Sequence, residues 1–150
     1  MIPESRLIRS ELTIRELSLP EDVLLAKKSL IRWLALSLGM ILPNESRRLL
    51  LDLLDVVLEF HIKRQNPTTK DILARLEEVT KEPSNPKAVY YHLQRLKEFG
   101  VLVRKRGRYY LGDGDTDDLK EIFRRCYLRR ADKAFENISS ALDKLEGSYV

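Results

Sequence analysis

The sequence predicts a mainly α-helical protein with one small β-hairpin. Three observations carry this expectation. Apolar residues recur at helical spacing in segment after segment, each framed by residues that start or stop helices. Gly and Pro are scarce, six of each in 150 residues, and 43% apolar with 33% charged residues is the balance of a folded chain. The pattern changes to an extended one at "VLVRKRGRYYL" (101–111), where β-branched and aromatic residues flank Arg106-Gly107, which predicts a hairpin.

Residues 1–19 alternate charged and apolar positions without a clear period and suit a short helix or an extended arm. Pro20, Glu21 and Asp22 mark a helix start, and Gly39 and Pro43 close the helix 21–41. It is apolar on most sides, so it is expected to lie between other helices or in a dimer interface. Asn44 is the expected cap of the next helix, with Glu45 in its first turn and Leu49, Leu50, Leu53, Leu54, Val57 and Phe60 along its stripe. Thr68 and Asp71 form a short capping box ahead of Ile72, Leu73, Leu76 and Val79. Asn85 as cap, Pro86 at the first position and Gly100 as stop frame a helix over 85–99. Thr116 is the expected cap of a long last helix, with Asp117 and Asp118 favouring its dipole. The chain thus divides into an N-terminal arm and packing helix (1–42), a central domain (43–113) and a C-terminal helix (114–150).

Composition narrows the chemistry. A single cysteine, Cys126, excludes an intramolecular disulfide and any zinc site of paired cysteines, and His61 and His92 are too few for a histidine-rich site. Asp113, Asp115 and Asp117 are spaced like the start of a calcium loop, but position six is Asp118 and position twelve is Arg124, so helix capping accounts for them better. Cys126, beside Ile122, Phe123 and Tyr127, is expected to pack, as is His92 beside Leu93. No nucleophile, base and orienter are grouped, so neither an enzyme nor a cofactor or metal is expected. The apolar run Trp33–Leu42 is about half the length a bilayer span needs, and the charged N-terminus lacks the apolar core of a secretory leader. No membrane association and a cytoplasmic location are expected.

Charge is unevenly spread. The formal net charge is +4, yet residues 1–83 carry 13 basic and 13 acidic side chains, and 112–150 carry seven and nine. The excess lies in 84–111, where Lys87, Arg95, Lys97, Arg104, Lys105, Arg106 and Arg108 face one acid, Glu98. A local basic patch on a neutral body is the footprint of a polyanion-binding protein. On a helical projection with about 100° per residue, Leu93 and Leu96 fall near Val89 on the inward face. Lys87, Tyr91, Gln94 and Glu98 point the other way, with Tyr90 and Arg95 on the flanks. The outer N-terminal set of Asn85, Lys87, Tyr90, Tyr91, Gln94 and Arg95 offers donors and flat rings suited to base edges and phosphates.

The order helix, helix, helix, hairpin is that of a winged helix-turn-helix domain, here with N- and C-terminal helical extensions. Lys87–Val103, "KAVYYHLQRLKEFGVLV", resembles the recognition-helix signature of bacterial and archaeal winged-helix repressors of the arsenic-repressor (ArsR-like) and phenolic-acid-repressor (PadR-like) kinds. The likeness covers roughly residues 66–112 and marks the class rather than one family. It implies a prokaryotic transcriptional regulator that binds double-stranded DNA, with helix 85–99 in the major groove. It also implies that the wing 101–111 lies on the backbone through Arg104, Lys105, Arg106 and Arg108. The segment Thr80–Asn85 is longer than the tight turn of the strict motif, and the cysteine pairs of arsenic-type metal sensors are absent. If all seven basic side chains met phosphate, the log–log salt slope would be about −6 per copy.

Ala131, Phe135, Ile138, Leu142 and Leu145 repeat with spacings of four and three, a heptad seam on a helix of about 45 Å that a small domain cannot cover. A homodimer through this seam is expected. The alternative reading is a winged-helix protein-interaction module in a transcription or replication assembly. Which of Tyr109 and Tyr110 is buried stays open, since neighbouring strand residues face opposite sides.

Overall fold

The computed structural model describes residues 1–45 and 47–150. The chain is mainly helical, with one two-stranded antiparallel hairpin among the described residues. It divides into two compact units, Met1–Arg47 and Arg48–Val150.

In the first unit a 3-10 turn, Pro3–Leu7, leads into an extended arm and then into α1 (Glu21–Leu25) and α2 (Lys27–Ser37). The single helix expected over 21–41 is therefore broken and shorter. Ala26 leaves the helical region (φ −117°, ψ 110°), which interrupts the hydrogen-bond ladder. Leu24 and Leu25 at the end of α1 are exposed, so their burial does not support a helix continuous with α2. The arm is tied to the end of α2. Arg15 donates from Nη1 to Leu36 O (2.6 Å) and Ile41 O (3.1 Å), and its amide donates to Ser37 O. A cation at a helix C-terminus satisfies orphan carbonyls and suits the dipole. Gly39 (φ +72°) makes this approach possible, because a Cβ there would lie 2.7 Å from Thr13 Cβ.

In the second unit α3 (Arg48–Ile62) is central and packs against α4 (Thr69–Thr80), α5 (Pro86–Phe99) and the second hairpin strand. The expected helix start at Asn44 is not observed. A turn precedes α3 instead, closed by Glu45 N–H to Leu42 O and by the Leu42 amide to the Glu45 carboxylate. α4 opens with the complete Thr68–Asp71 capping box, and α5 with Asn85 as cap, Pro86 in the first turn and Gly100 as stop. The hairpin pairs β1 (Leu102–Lys105) with β2 (Arg108–Leu111), Leu102 opposite Leu111 and Lys105 opposite Arg108. The core gathers Leu53, Leu54, Ile72, Leu76, Val89, Leu93, Leu96, Val101 and Leu102, all nearly inaccessible. Tyr109 is the buried tyrosine, at 4% exposure, and Tyr110 is half-buried.

The last helix, α6 (Leu119–Ser148), is capped by Asp118 rather than by Thr116. Thr116 acts one step earlier, accepting from the Asp118 amide, while Asp118 accepts from Lys120 N. Its first turns bury Ile122, Cys126 and Tyr127, and the Cys126 thiol donates to Phe99 O at 2.9 Å. Burial pushes the Tyr127 phenol from 10.0 to about 12, and pushes the Cys126 thiol upward as well. Both folded values are raised, so the native state favours the neutral forms. That stability is intact below pH 9 and is lost as pH rises from about 10 towards 12. For Tyr127 the full loss is at most about 3 kcal/mol. Denaturant midpoints should fall between pH 9 and pH 11, and Tyr127→Phe should flatten that fall. An identical alkaline profile in the variant would refute the assignment.

Among the described residues no helix is long and apolar enough to cross a membrane.

Candidate nucleic-acid interface

The inward set predicted for α5 is buried: Val89, Leu93 and Leu96 at 0–1% exposure, with His92 beside them. This fixes the opposite face outward. Lys87, Tyr90, Tyr91, Gln94 and Glu98 are all exposed, Tyr90 and Tyr91 at 51% and 56%. The Tyr91 ring meets the His92 ring edge-on, with centroids 5.2 Å apart.

Two residues of the expected outer set have other work. Asn85 is exposed, but its Oδ1 accepts from the Lys87 amide at 3.0 Å, so half of its side-chain amide is occupied by capping. Arg95 is half-buried, with its guanidinium 5.8 Å from the Phe99 ring centroid one turn on. Its Nη1 is buried without a hydrogen-bond partner. Phe99 also carries Arg130 at 5.4 Å. Helical projection placed Arg95 on a flank, but it could not show that a ring four residues on would draw the side chain in.

The hairpin turn is Arg106-Gly107, both at positive φ (53° and 78°), which matches the twist of two-residue hairpins. Asn or Gly is the favoured occupant of the first turn position, and Arg there strains the backbone. Arg104, Lys105, Arg106 and Arg108 are all exposed. Lys105 sits directly opposite Arg108 in the register, and like charges so placed destabilise a strand pair. Arg104 shares the Tyr109 side of the hairpin, its guanidinium 5.5 Å from that ring. Among the described residues none of Lys87, Arg104, Lys105 and Arg106 forms an ion pair. By contrast, Arg75 is engaged by Glu59 and Glu78, and Lys63 by Glu59. The Lys63 hydrogen bond, with Arg75 adding to it, holds the Glu59 carboxyl below its ordinary range.

Arg108 differs from the other three. Its Nη1 donates to Asn66 O at 2.8 Å, and the next residue's amide, Tyr109 N, donates to Pro67 O at 2.8 Å. With the Thr68–Arg108 bridge, Asn66–Thr68 adds a short third edge alongside β2. The Thr69 hydroxyl also reaches the Tyr109 hydroxyl at 3.4 Å. Sequence reading missed this edge, because three residues with a central proline give no strand pattern.

Of the expected dimer seam, Ala131 is half-buried, while Phe135, Ile138, Leu142 and Leu145 stand 43–56% exposed on α6. Leu128 and Tyr149, also exposed, extend the same alternation of threes and fours by one step at each end. Continuing the spacing outward from Ala131 and Leu145 finds both. No family model, curated protein or solved structure matches this chain.

Proposed function

We propose that the second unit is a winged helix-turn-helix domain that binds double-stranded DNA, and that the protein acts as a homodimeric transcriptional regulator. In this reading α5 enters the major groove and the β1–β2 hairpin is the wing on the phosphate backbone. The order of α3, α4, α5 and hairpin supports it, as does the third edge at Asn66–Thr68, which gives the wing a small sheet at its root.

The observation that carries the reading is the unneutralised charge of the hairpin tip. Lys105 faces Arg108 across the strands and Arg106 holds a strained turn position between them, with no carboxylate among the described residues paired to Lys105 or Arg106. A folded chain that concentrates like charge at the end of a two-stranded ribbon gains stability when a polyanion supplies the missing counter-charge. Dimerisation follows from α6. A single copy leaves its 3–4 apolar seam uncovered, and a second copy offers an identical seam at the same spacing, the condition for a self-complementary contact.

The structure lowers the expected number of phosphate contacts. Arg95 and Lys97 are half-buried, which leaves Lys87, Lys105 and Arg106 fully available, Arg104 exposed over the Tyr109 ring and Arg108 partly engaged. Duplex binding followed by fluorescence anisotropy between about 50 and 300 mM salt should give a log–log slope of about −4 per copy. A slope near zero, or no duplex affinity at low salt, would overturn the reading. The second result, together with capture of a protein partner, would favour an interaction module.

A further inference from the structure

Resting on the reading of α5 as a groove-binding helix, we infer that its half-site is centred on A·T base pairs. Gln94 would recognise adenine, and the Tyr90 and Tyr91 rings would contact thymine methyls.

The exposed residues Lys87, Tyr90, Tyr91 and Gln94 stand at positions i, i+3, i+4 and i+7. Helices lying in the major groove present base-reading side chains at this same interval, because these positions fall on one stripe of an α-helix. Their chemistry then limits what the stripe can read. Guanine is read most often through its O6 and N7, by a bidentate arginine or by a lysine. The only arginine on α5 is Arg95, and its guanidinium is packed against Phe99 with Nη1 buried, away from the outer stripe. The arginine contact to guanine is thus withdrawn from the stripe by the fold itself, and Lys87, at the helix N-terminal end, is the one cation left on it. Gln94 is the only amide side chain on it, and a glutamine pairs bidentately with adenine N6 and N7. The two tyrosines present flat apolar faces, and the group such a face can distinguish in the major groove is the thymine C5-methyl. The edge contact with the His92 ring favours one placement of the Tyr91 face. Lys87, in the first turn, adds a phosphate contact beside the helix N-terminus. Glu98, the last exposed residue of the face, lies about three turns from Lys87, where a carboxylate would meet no phosphate that the N-terminal end engages.

The test begins with selection of bound sequences from a random duplex pool by the wild-type protein, followed by defined duplexes. The selected half-site should contain adenine at one invariant position, flanked by thymines. Gln94→Glu should shift the preference at that position from adenine towards cytosine, because a carboxylate accepts from the cytosine N4 amino group. The change in the ratio of the two affinities should be roughly 5- to 100-fold. Replacing the flanking thymines by uracil, which removes only the methyl, should weaken wild-type binding several-fold and leave Tyr90→Ala, Tyr91→Ala binding nearly unaffected. Gln94 and both tyrosines are exposed, so melting temperatures close to wild type are expected and will show that the variants fold. A guanine-centred half-site, or a base preference unchanged in Gln94→Glu, overturns this inference while leaving duplex binding intact. Failure to bind any duplex at low salt overturns the DNA-binding reading and this inference with it.

Discussion

Replacing Arg104, Lys105 and Arg106 together by alanine is expected to weaken duplex binding roughly 100- to 1000-fold at about 0.1 M salt, as three lost counterion-release contacts require. The salt slope should become shallower by about 3 per copy. Protein stability should move the other way. The like-charge pair Lys105–Arg108 is removed, while alanine keeps the Cβ that strains the turn at position 106, so the gain comes from the charge pair alone. Arg106→Asn separates these effects most simply. Asn tolerates the left-handed conformation that Arg106 holds at φ 53°, so this variant should gain up to about 1 kcal/mol of stability while losing about tenfold in affinity. Opposite signs in the two measurements are the mark of a residue kept for contact rather than for folding. Loss of stability in Arg106→Asn, or affinity unchanged in the triple variant, would refute the role assigned to the wing.

Leu142→Glu is expected to convert a dimer to a monomer. Light scattering should then report one 17.5 kDa copy instead of two. Leu142 is 54% exposed in the single chain, so the substitution removes no core contact from a lone copy and leaves its fold unchanged. In the paired seam, however, it buries a carboxylate between apolar neighbours, which a two-helix interface cannot solvate. Binding to a duplex with two half-sites should fall by about 100-fold or more as the tethered second contact is lost, while binding to a single half-site stays constant. Leu145→Glu should behave in the same way and Lys133→Glu, on the polar face, should not. A wild-type protein that is already monomeric at micromolar concentration would exclude the seam as a dimer contact.

How far the sequence spoke differed from element to element, for physical reasons. α4 and α5 were legible almost to the residue, because Thr68, Asp71, Asn85, Pro86 and Gly100 are local signals whose hydrogen bonds form within a few residues. The inward and outward faces of α5 followed from periodicity alone. The starts of α3 and α6 were misplaced where several capping residues compete: Asn44 and Glu45 are absorbed into a turn with Leu42, and Thr116 bonds the amide of the true cap, Asp118. The break at Ala26 had no warning residue, because alanine is the best helix former, and the exposed Leu24 and Leu25 before it add no burial to favour a continuous helix. The fate of Arg95 and the third edge at Asn66–Thr68 both depend on partners distant in sequence or on a ring whose position only packing decides. Charge segregation, which supplied the functional expectation, needed no structure. The structure added which cations are unpaired.

The tie between Asn66–Thr68 and β2 governs how the wing would meet a ligand. Tyr109 N–H is bonded to Pro67 O and Arg108 to Asn66 O, so the hairpin cannot swing away from the start of α4 without breaking both. The freedom that a loose loop surrenders on association is here partly surrendered during folding, by the backbone and by the Arg108 side chain, for which it is about 0.5–1.5 kcal/mol. A preorganised wing spends little of its contact energy on ordering itself. If the proposed wing binds, Asn66, Pro67 and Thr68, which need touch no ligand, would contribute to affinity through the backbone entropy they have already removed.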